Sequence, residues 1–349
     1  MKIENKNENL IPIIHRLVTN NKGENYWFNA CAGYVMECLG EKDYDYSFFA
    51  GITGDNFTQH YKFGFYGDGV SAYPEFYGDG EFFRNIFAIC GYKADYIFVR
   101  DMAKNSEKYL NEIIRYIDMG IPIISLGSDV RPTGVYVGYE EGGKVLLYIS
   151  GENDEPKRIS VDKAMEKTDA RGVNFTLTEI ELKNPNNDAC IFVRGKKESV
   201  PLADIYRKAI FKLPELLTVD NEKFCFGAAA FRKWADDIDG GIFDGMENEK
   251  FDGWGMYQNF VCVLATNGSC CFNFLNKALE LNPDMIFLRE ISDLYHKTGD
   301  MWGELEKIGG GFNISLETLQ NKEKRGKIIG KLRDFADVYD DILNVFKKW

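Results

Sequence analysis

The hydrophobic pattern changes character near residue 198, and that change limits what the chain can become. Beyond Pro201 the apolar residues recur at spacings of three and four. They do so in "LADIYRKAIFKLPELL", "FGAAAFRKWADDI", "YQNFVCVLAT", "CCFNFLNKALEL", "FLREISDLYHKTGDMWGELEKI" and "RGKIIGKLRDFADVYDDILNVFKKW", with glycine or proline between segments. That spacing marks amphipathic helices. Before residue 198, short helical stripes alternate with short apolar runs. A chain of 349 residues is also too long for one ordinary core. The pattern therefore predicts an α+β domain over 1–197 followed by an α-helical bundle over 198–349.

Within the first part, residues 30–39 read as an apolar helix. Phe83, Ile86, Phe87 and Cys90 make a helical face that Gly91 ends, and residues 94–99 read as a strand. Leu110, Ile113, Ile114 and Ile117 form a second stripe that Gly120 stops, and "IPIISL" follows as a buried strand. "GVYVGYEEGGKVLLYIS" reads as a hairpin around Glu141–Gly142–Gly143. A helix near 160–168 and strands near 173–182 and 189–194 complete this part.

The net charge of −12 argues against nucleic acid or an anionic membrane as partner, since both reward a basic face. Acidity by itself names no partner. The start "MKIENKNENLIPIIH" has no apolar core after its charges, and no apolar run is long enough to span a bilayer, so a cytoplasmic location is expected. The eight cysteines form no CxxC pair and are expected to be reduced and mostly buried. Three scattered histidines, at 15, 60 and 296, give no expectation of a metal or any other cofactor.

The candidate chemistry centres on "NYWFNACAGYVMECLG", residues 25–40. It reads as a loop entering a helix with Cys31 in the first turn and Asn29 as N-cap. A cysteine attacks as thiolate, and the positive end of a helix lowers its pKa. Asn25 is placed to supply an oxyanion donor beside a backbone N–H. The same residues also fit a buried helical face, in which Cys31 is an ordinary core residue. "FYGDG" occurs twice, at 65–69 and 76–80. Its copies read as turns of a hairpin repeat or as a ligand loop, with Tyr66, Asp68, Tyr77 and Asp79 as candidate ligand-binding residues beside Tyr73 and Phe76. "DGGIFDGMENEKFDGWG" is either a loop that closes over a site or a surface loop.

The order of these segments resembles the papain-like fold of C39-type peptidases. It resembles more closely the butirosin-biosynthesis protein H family. The cysteine helix, "DYSFFAGITGDNFTQHY", "AICGYKADYI", "YIDMGIPIISL" and "VYVGYEEGGKVLLYI" look like that family's N-terminal domain. "ADIYRKAI", "FGAAAFRKWADDI", "VLATNGSCCFNFLNKALEL" and "YHKTGDMWGELEKI" look like its helical C-terminal domain. The resemblance covers about residues 25–345, through degenerate motifs. It implies a thiol-dependent acyltransferase or amide-bond enzyme. In such an enzyme Cys31 takes an acyl group, in the named member from an acyl-carrier protein, and passes it to a small-molecule amine, with a histidine as base. Here the histidine's place holds Pro132, Thr133 and Gly134, none of which accepts a proton. The acids nearest the orienting position, Glu152 and Asp154, come a few residues late. His60, upstream in "TGDNFTQHYKFG", is the candidate substitute base.

Three readings follow. The chain is a working thiol acyltransferase or hydrolase with a displaced base. It is instead an inactive protein that keeps the cleft and binds a small-molecule amine or a peptide. Or it is an interaction protein whose acidic surface and helices dock a partner, a reading that a flat apolar patch on the bundle would favour.

Overall fold

The computed structural model describes residues 6–17, 26–61, 80–126, 133–151, 154–161, 189–196, 198–221 and 224–349. The protein is mixed α+β with an antiparallel sheet. Two compact units form: one from Met1–Phe49 and Tyr73–Val200, the other from Ala50–Ala72 and Pro201–Trp349. The expected pair of consecutive domains differs from these units in one respect, because residues just after the cysteine helix belong to the helical unit. Among the described residues no helix is long and apolar enough to cross a membrane.

The first unit holds β1 (Asn9–Leu10), α1 (Trp27–Cys38), the start of α2 (Tyr46–Ile52), α3 (Glu81–Ile89), β3 (Tyr92–Phe98), α4 (Val99–Lys104) and α5 (Ser106–Asp118). β4 (Ile123–Leu126), β5 (Gly134–Glu140), β6 (Val145–Ser150), β7 (Lys157–Ser160) and β8 (Ala189–Lys196) follow. The sheet runs β3-β8-β4-β5-β6-β7, antiparallel throughout, with β1 beside β5. Both faces of its centre are covered, which is why "IISL" of β4 is buried at every position. On one face Ile123, Tyr136, Tyr148, Cys190 and Phe192 pack with Val99 and Met102 of α4 and with Ile113, Tyr116 and Ile117 of α5. On the other, α1 lies on β4 and β5 and α3 lies on β3. There Phe83 stacks on Tyr96 with centroids 5.5 Å apart. Phe28 joins α1 to α3 through Phe83 at 4.7 Å and Phe87 at 6.2 Å.

The β5–β6 hairpin turns at Glu141–Gly142–Gly143, whose φ angles of 53°, 64° and 96° explain the two glycines. The ladder shifts register between Tyr136 and Gly138, leaving Val137 as the extra residue of a bulge. Of the helix expected near 160–168, only residues 160 and 161 are described, Ser160 ending β7; residues 162–168 and the strand expected near 173–182 lie outside the described residues.

The second unit is built on α6 (Leu202–Leu217), α7 (Gly227–Asp239), α8 (Asn259–Leu281), α9 (Leu288–Lys307), α10 (Leu316–Gln320) and α11 (Lys322–Phe346). α7 and α11 form its broadest seam, where Phe231 stacks on Phe335 at 5.1 Å. Ile328, Leu332, Phe335, Tyr339 and Ile342 are all buried along α11, the spacing the sequence predicts. Asn321 caps that helix, its side chain accepting from the amides of Glu323 and Lys324 at 3.1 Å each.

The segment from Ala50 onward enters this core. Phe57 packs against Phe274 at 5.9 Å and Tyr295 at 5.4 Å. The Tyr295 hydroxyl donates to the Phe57 carbonyl at 3.0 Å. β2 (His60–Tyr61) then pairs antiparallel with β9 (Cys225–Phe226). The Gly- and Asp-rich stretch after α7 is tied down. Gln320 Nε2 donates to the carbonyls of Phe243 and Met246 at 3.0 and 2.9 Å, and Arg325 pairs with Asp244. These bonds favour the surface-loop reading over a closing loop.

Candidate functional site

The helix carrying Cys31 starts earlier than the capping preference of Asn29 predicts. Tyr26 is the N-cap, in an extended conformation and with no side-chain cap bond. Its amide donates to the Tyr46 hydroxyl at 3.0 Å, and its carbonyl accepts from Asn29 N–H at 3.0 Å. Asn29 thus lies inside the first turn, fully buried. Aromatic packing has overridden the cap: seating Phe28 among Phe82, Phe83 and Phe87 pulls the helix start forward. Burying such a ring stabilises by about 1.5–3 kcal/mol, more than a cap is worth.

Cys31 consequently stands in the second turn of α1, not the first. The helix dipole acts mainly on groups at the terminal turn. Cys31 is also 0% exposed. Burial pushes its thiol well above the ordinary range, against a smaller lowering by its own backbone hydrogen bond. This is the reverse of an activated thiolate.

One of the three expected base positions, residue 134, is closed as well. Gly134 opens β5, paired with Ser125 on one side and Ser150 on the other. A Cβ at residue 134 would overlap the Ile149 carbonyl oxygen and approach the Tyr148 hydroxyl at 2.7 Å. No histidine fits there without moving the strand. Pro132 and Glu152 lie outside the described residues. Asp154 is at the surface in an ion pair with Arg16 at 2.7 Å, which holds its carboxyl below the usual range.

Among the other candidates, His60 lies on β2 in the helical unit while Cys31 lies in the sheet unit, so no unit contains both. The His60 side chain is buried, with its ring edge-on to Phe260 at 5.8 Å. Asn25, Tyr66, Asp68, Tyr77 and Asp79 lie outside the described residues, as do Tyr73 and Phe76. His296 stacks on Phe272 with centroids 3.6 Å apart. His15 is the histidine held on α1. Its Nε2 meets Glu37 at 2.8 Å and its Nδ1 the Arg16 carbonyl at 2.8 Å. Burial works to lower the His15 pKa, and these two partners outweigh it, so the pKa rises.

The run from Thr53 to His60 carries a feature that sequence reading overlooks. Thr53, Asp55, Asn56, Thr58, Gln59 and His60 are all buried. Gln59 Nε2 donates to the carbonyls of His60 and Phe260 at 2.9 and 3.1 Å, which fixes its amide and leaves Oε1 buried without a hydrogen bond. Asn259, just after the π-helical turn Trp254–Gln258, behaves alike. Its Nδ2 donates to the carbonyls of Trp254 and Gly255, and its Oδ1 has no hydrogen-bond partner. These six polar residues around Phe57 read as a loop in sequence, and only their long-range partners show that they are core. Among the described residues no group of three histidine, cysteine or acidic side chains is placed to hold a metal ion.

No protein-family model matches this chain, and a comparison with curated proteins finds none similar to it. The site's chemistry therefore rests on its geometry. The described residues hold a protected thiol, and His60, the candidate substitute base, belongs to the other unit.

Proposed function

We propose that the chain is a cytoplasmic, papain-like protein of the butirosin-biosynthesis H type that binds an amine-bearing small molecule or a peptide and performs no thiol chemistry. One observation carries this reading: Cys31 is fully buried in the second turn of α1, with its thiol pKa raised by burial. A nucleophilic cysteine needs an accessible thiolate and a base within hydrogen-bond reach. The steric closure of residue 134 supports the same conclusion. The papain-like assignment is supported by a cysteine helix laid across β4 and β5 of an antiparallel sheet, with the β5–β6 hairpin next in order. The ligand class is supported by the acidic balance of the chain and by the aromatic and acidic residues Tyr66, Asp68, Tyr77 and Asp79.

Calorimetry of the wild-type chain and Cys31→Ala against spermidine and a lysine-rich peptide, run beside a thioester turnover assay, separates the alternatives. Equal binding by both proteins, with no turnover above buffer, is expected. Turnover lost in Cys31→Ala would restore the acyltransferase, with an acyl-carrier protein as its natural donor. Absence of binding by either protein would remove the binding reading.

A further inference from the structure

Residues 9–17 form a strap from the sheet to the end of α1. At the sheet the strap is held by main-chain bonds. Asn9 and Leu10 pair with Tyr139 and Gly138 of β5, and the Ile11 amide donates to the Val137 carbonyl at 2.8 Å. Ile11 is buried in the core of the sheet unit, and Cys38 and Leu39 pack against the same cluster. Toward α1 the fastening passes to side chains. The Tyr34 hydroxyl donates to the Ile13 carbonyl. His15 meets Glu37, and the Arg16 guanidinium grips Asp154 at 3.0 and 2.7 Å.

The bonds of His15 require a particular number of protons. Its Nε2 lies 2.8 Å from Glu37 Oε2 and its Nδ1 lies 2.8 Å from the Arg16 carbonyl oxygen. A carboxylate and a carbonyl only accept, and only the imidazolium donates at both ring nitrogens. Neutral imidazole keeps one N–H. Whichever nitrogen holds it, the other turns a lone pair toward an oxygen at hydrogen-bond distance, and one of the two bonds is lost. Glu37 also stands in the last turn of α1, which carries no basic residue of its own. A cation beside that turn offsets both the carboxylate and the negative helix end.

We propose that His15 is a pH-operated latch: its imidazolium fastens Ile13–Leu17 to the last turn of α1, and its neutral form lets that stretch open locally. The other charged and titratable groups around the ring do not switch near neutral pH. Tyr34 stands edge-on to it at 5.3 Å, with Cys38 beside Tyr34. Burial raises the pKa of both, that of Cys38 to about 11. Arg16 keeps its charge, and it holds the Asp154 carboxyl below the usual range. For His15 itself burial works against the charge, and the Arg16 carbonyl and Glu37 outweigh it. The latch is therefore fully closed below the ~6.5 of a free histidine and is lost as pH rises through the higher folded value. The proposal is independent of any ligand in the sheet unit.

The test uses the full chain. Carbon-13 labelling at histidine Cε1 gives three NMR signals, of which His15→Ala removes that of residue 15. In the wild type this signal should titrate above ~6.5. Its midpoint should fall by about 0.2–0.7 pH unit in Glu37→Gln, the size of an exposed ion pair. Trypsin cleavage after Arg16, followed by mass spectrometry, reads the latch itself. At pH 6 the wild type should be cut there about two- to fivefold more slowly than His15→Ala, and at pH 8.5 the two should be cut alike. Taking the ratio at each pH cancels the protease's own pH dependence. Both substituted side chains are half-exposed, and unchanged far-UV spectra check that the fold is kept. A midpoint at or below ~6.5, a midpoint unchanged in Glu37→Gln, or the same cleavage ratio at both pH values would overturn the proposal.

Discussion

A thiol sealed from water keeps its proton because the anion has nothing to solvate it, and this gives the protein an alkaline weakness. Burial raises the pKa values of Cys31 and Cys90, and it pushes Cys225 and Cys262 each up to about 12. In the unfolded chain these thiols ionise near the ~8.5 of a free cysteine. Their contribution to stability is therefore whole below that pH and is lost as pH rises toward the folded values. Each fully buried thiol removes up to about 1.4 kcal/mol per pH unit over that window. Urea unfolding at pH 7.5, 8.5, 9.5 and 10 should show stability falling, with a shallower fall in Cys31→Ala. An unchanged slope in that variant would contradict the burial of the thiol. At neutral pH the same substitution should cost about 1–2 kcal/mol through the small cavity it leaves. That Cys31 sits in a helix was legible in the sequence. That the helix begins at Trp27 was not, because Asn29 offers a strong local cap and only the distant Phe82, Phe83 and Phe87 outbid it.

At the scale of elements, two contacts make separable predictions. Gly134→Ala should destabilise the sheet unit by about 1–3 kcal/mol, since its Cβ meets backbone that cannot rotate away. A smaller loss, in denaturant unfolding, would mean that β5 can shift. Asn321→Ala should cost about 1 kcal/mol by freeing two amides at the start of α11, and Asn321→Ser should recover most of it. Helices with a clear stripe, such as α5 and α11, and the continuous apolar run of β4 were readable from residue spacing alone. The steric role of Gly134 was not, because it depends on the partner strand: Ile149 and Tyr148 are close only once β5 and β6 are in register.

The whole molecule joins a sheet unit and a helical unit whose sequence segments interleave. Phe57, His60 and Tyr61 supply packing and a strand pair to a unit otherwise drawn from beyond residue 200. A fragment of residues 201–349 should therefore lack a cooperative thermal transition, or melt well below the same unit in the full chain. A melt at the same temperature would show that the Ala50–Tyr61 segment adds nothing to that core. The change of periodicity near residue 198 announced a helical unit. It could not announce the excursion at residues 50–61, because a polar run reads as loop until its partners Phe260, Phe274 and Tyr295 are known. Cys31, the candidate nucleophile, is a core residue of the sheet unit. Alkylation of the native protein with iodoacetamide from pH 6 to 10, with mass spectrometry locating each label, tests that burial most directly. Cys31 should remain unmodified across that range and become labelled only when urea unfolds the chain. Selective labelling of native Cys31 with an apparent pKa below the ~8.5 of a free thiol would contradict the account and return the thiol to the role of nucleophile.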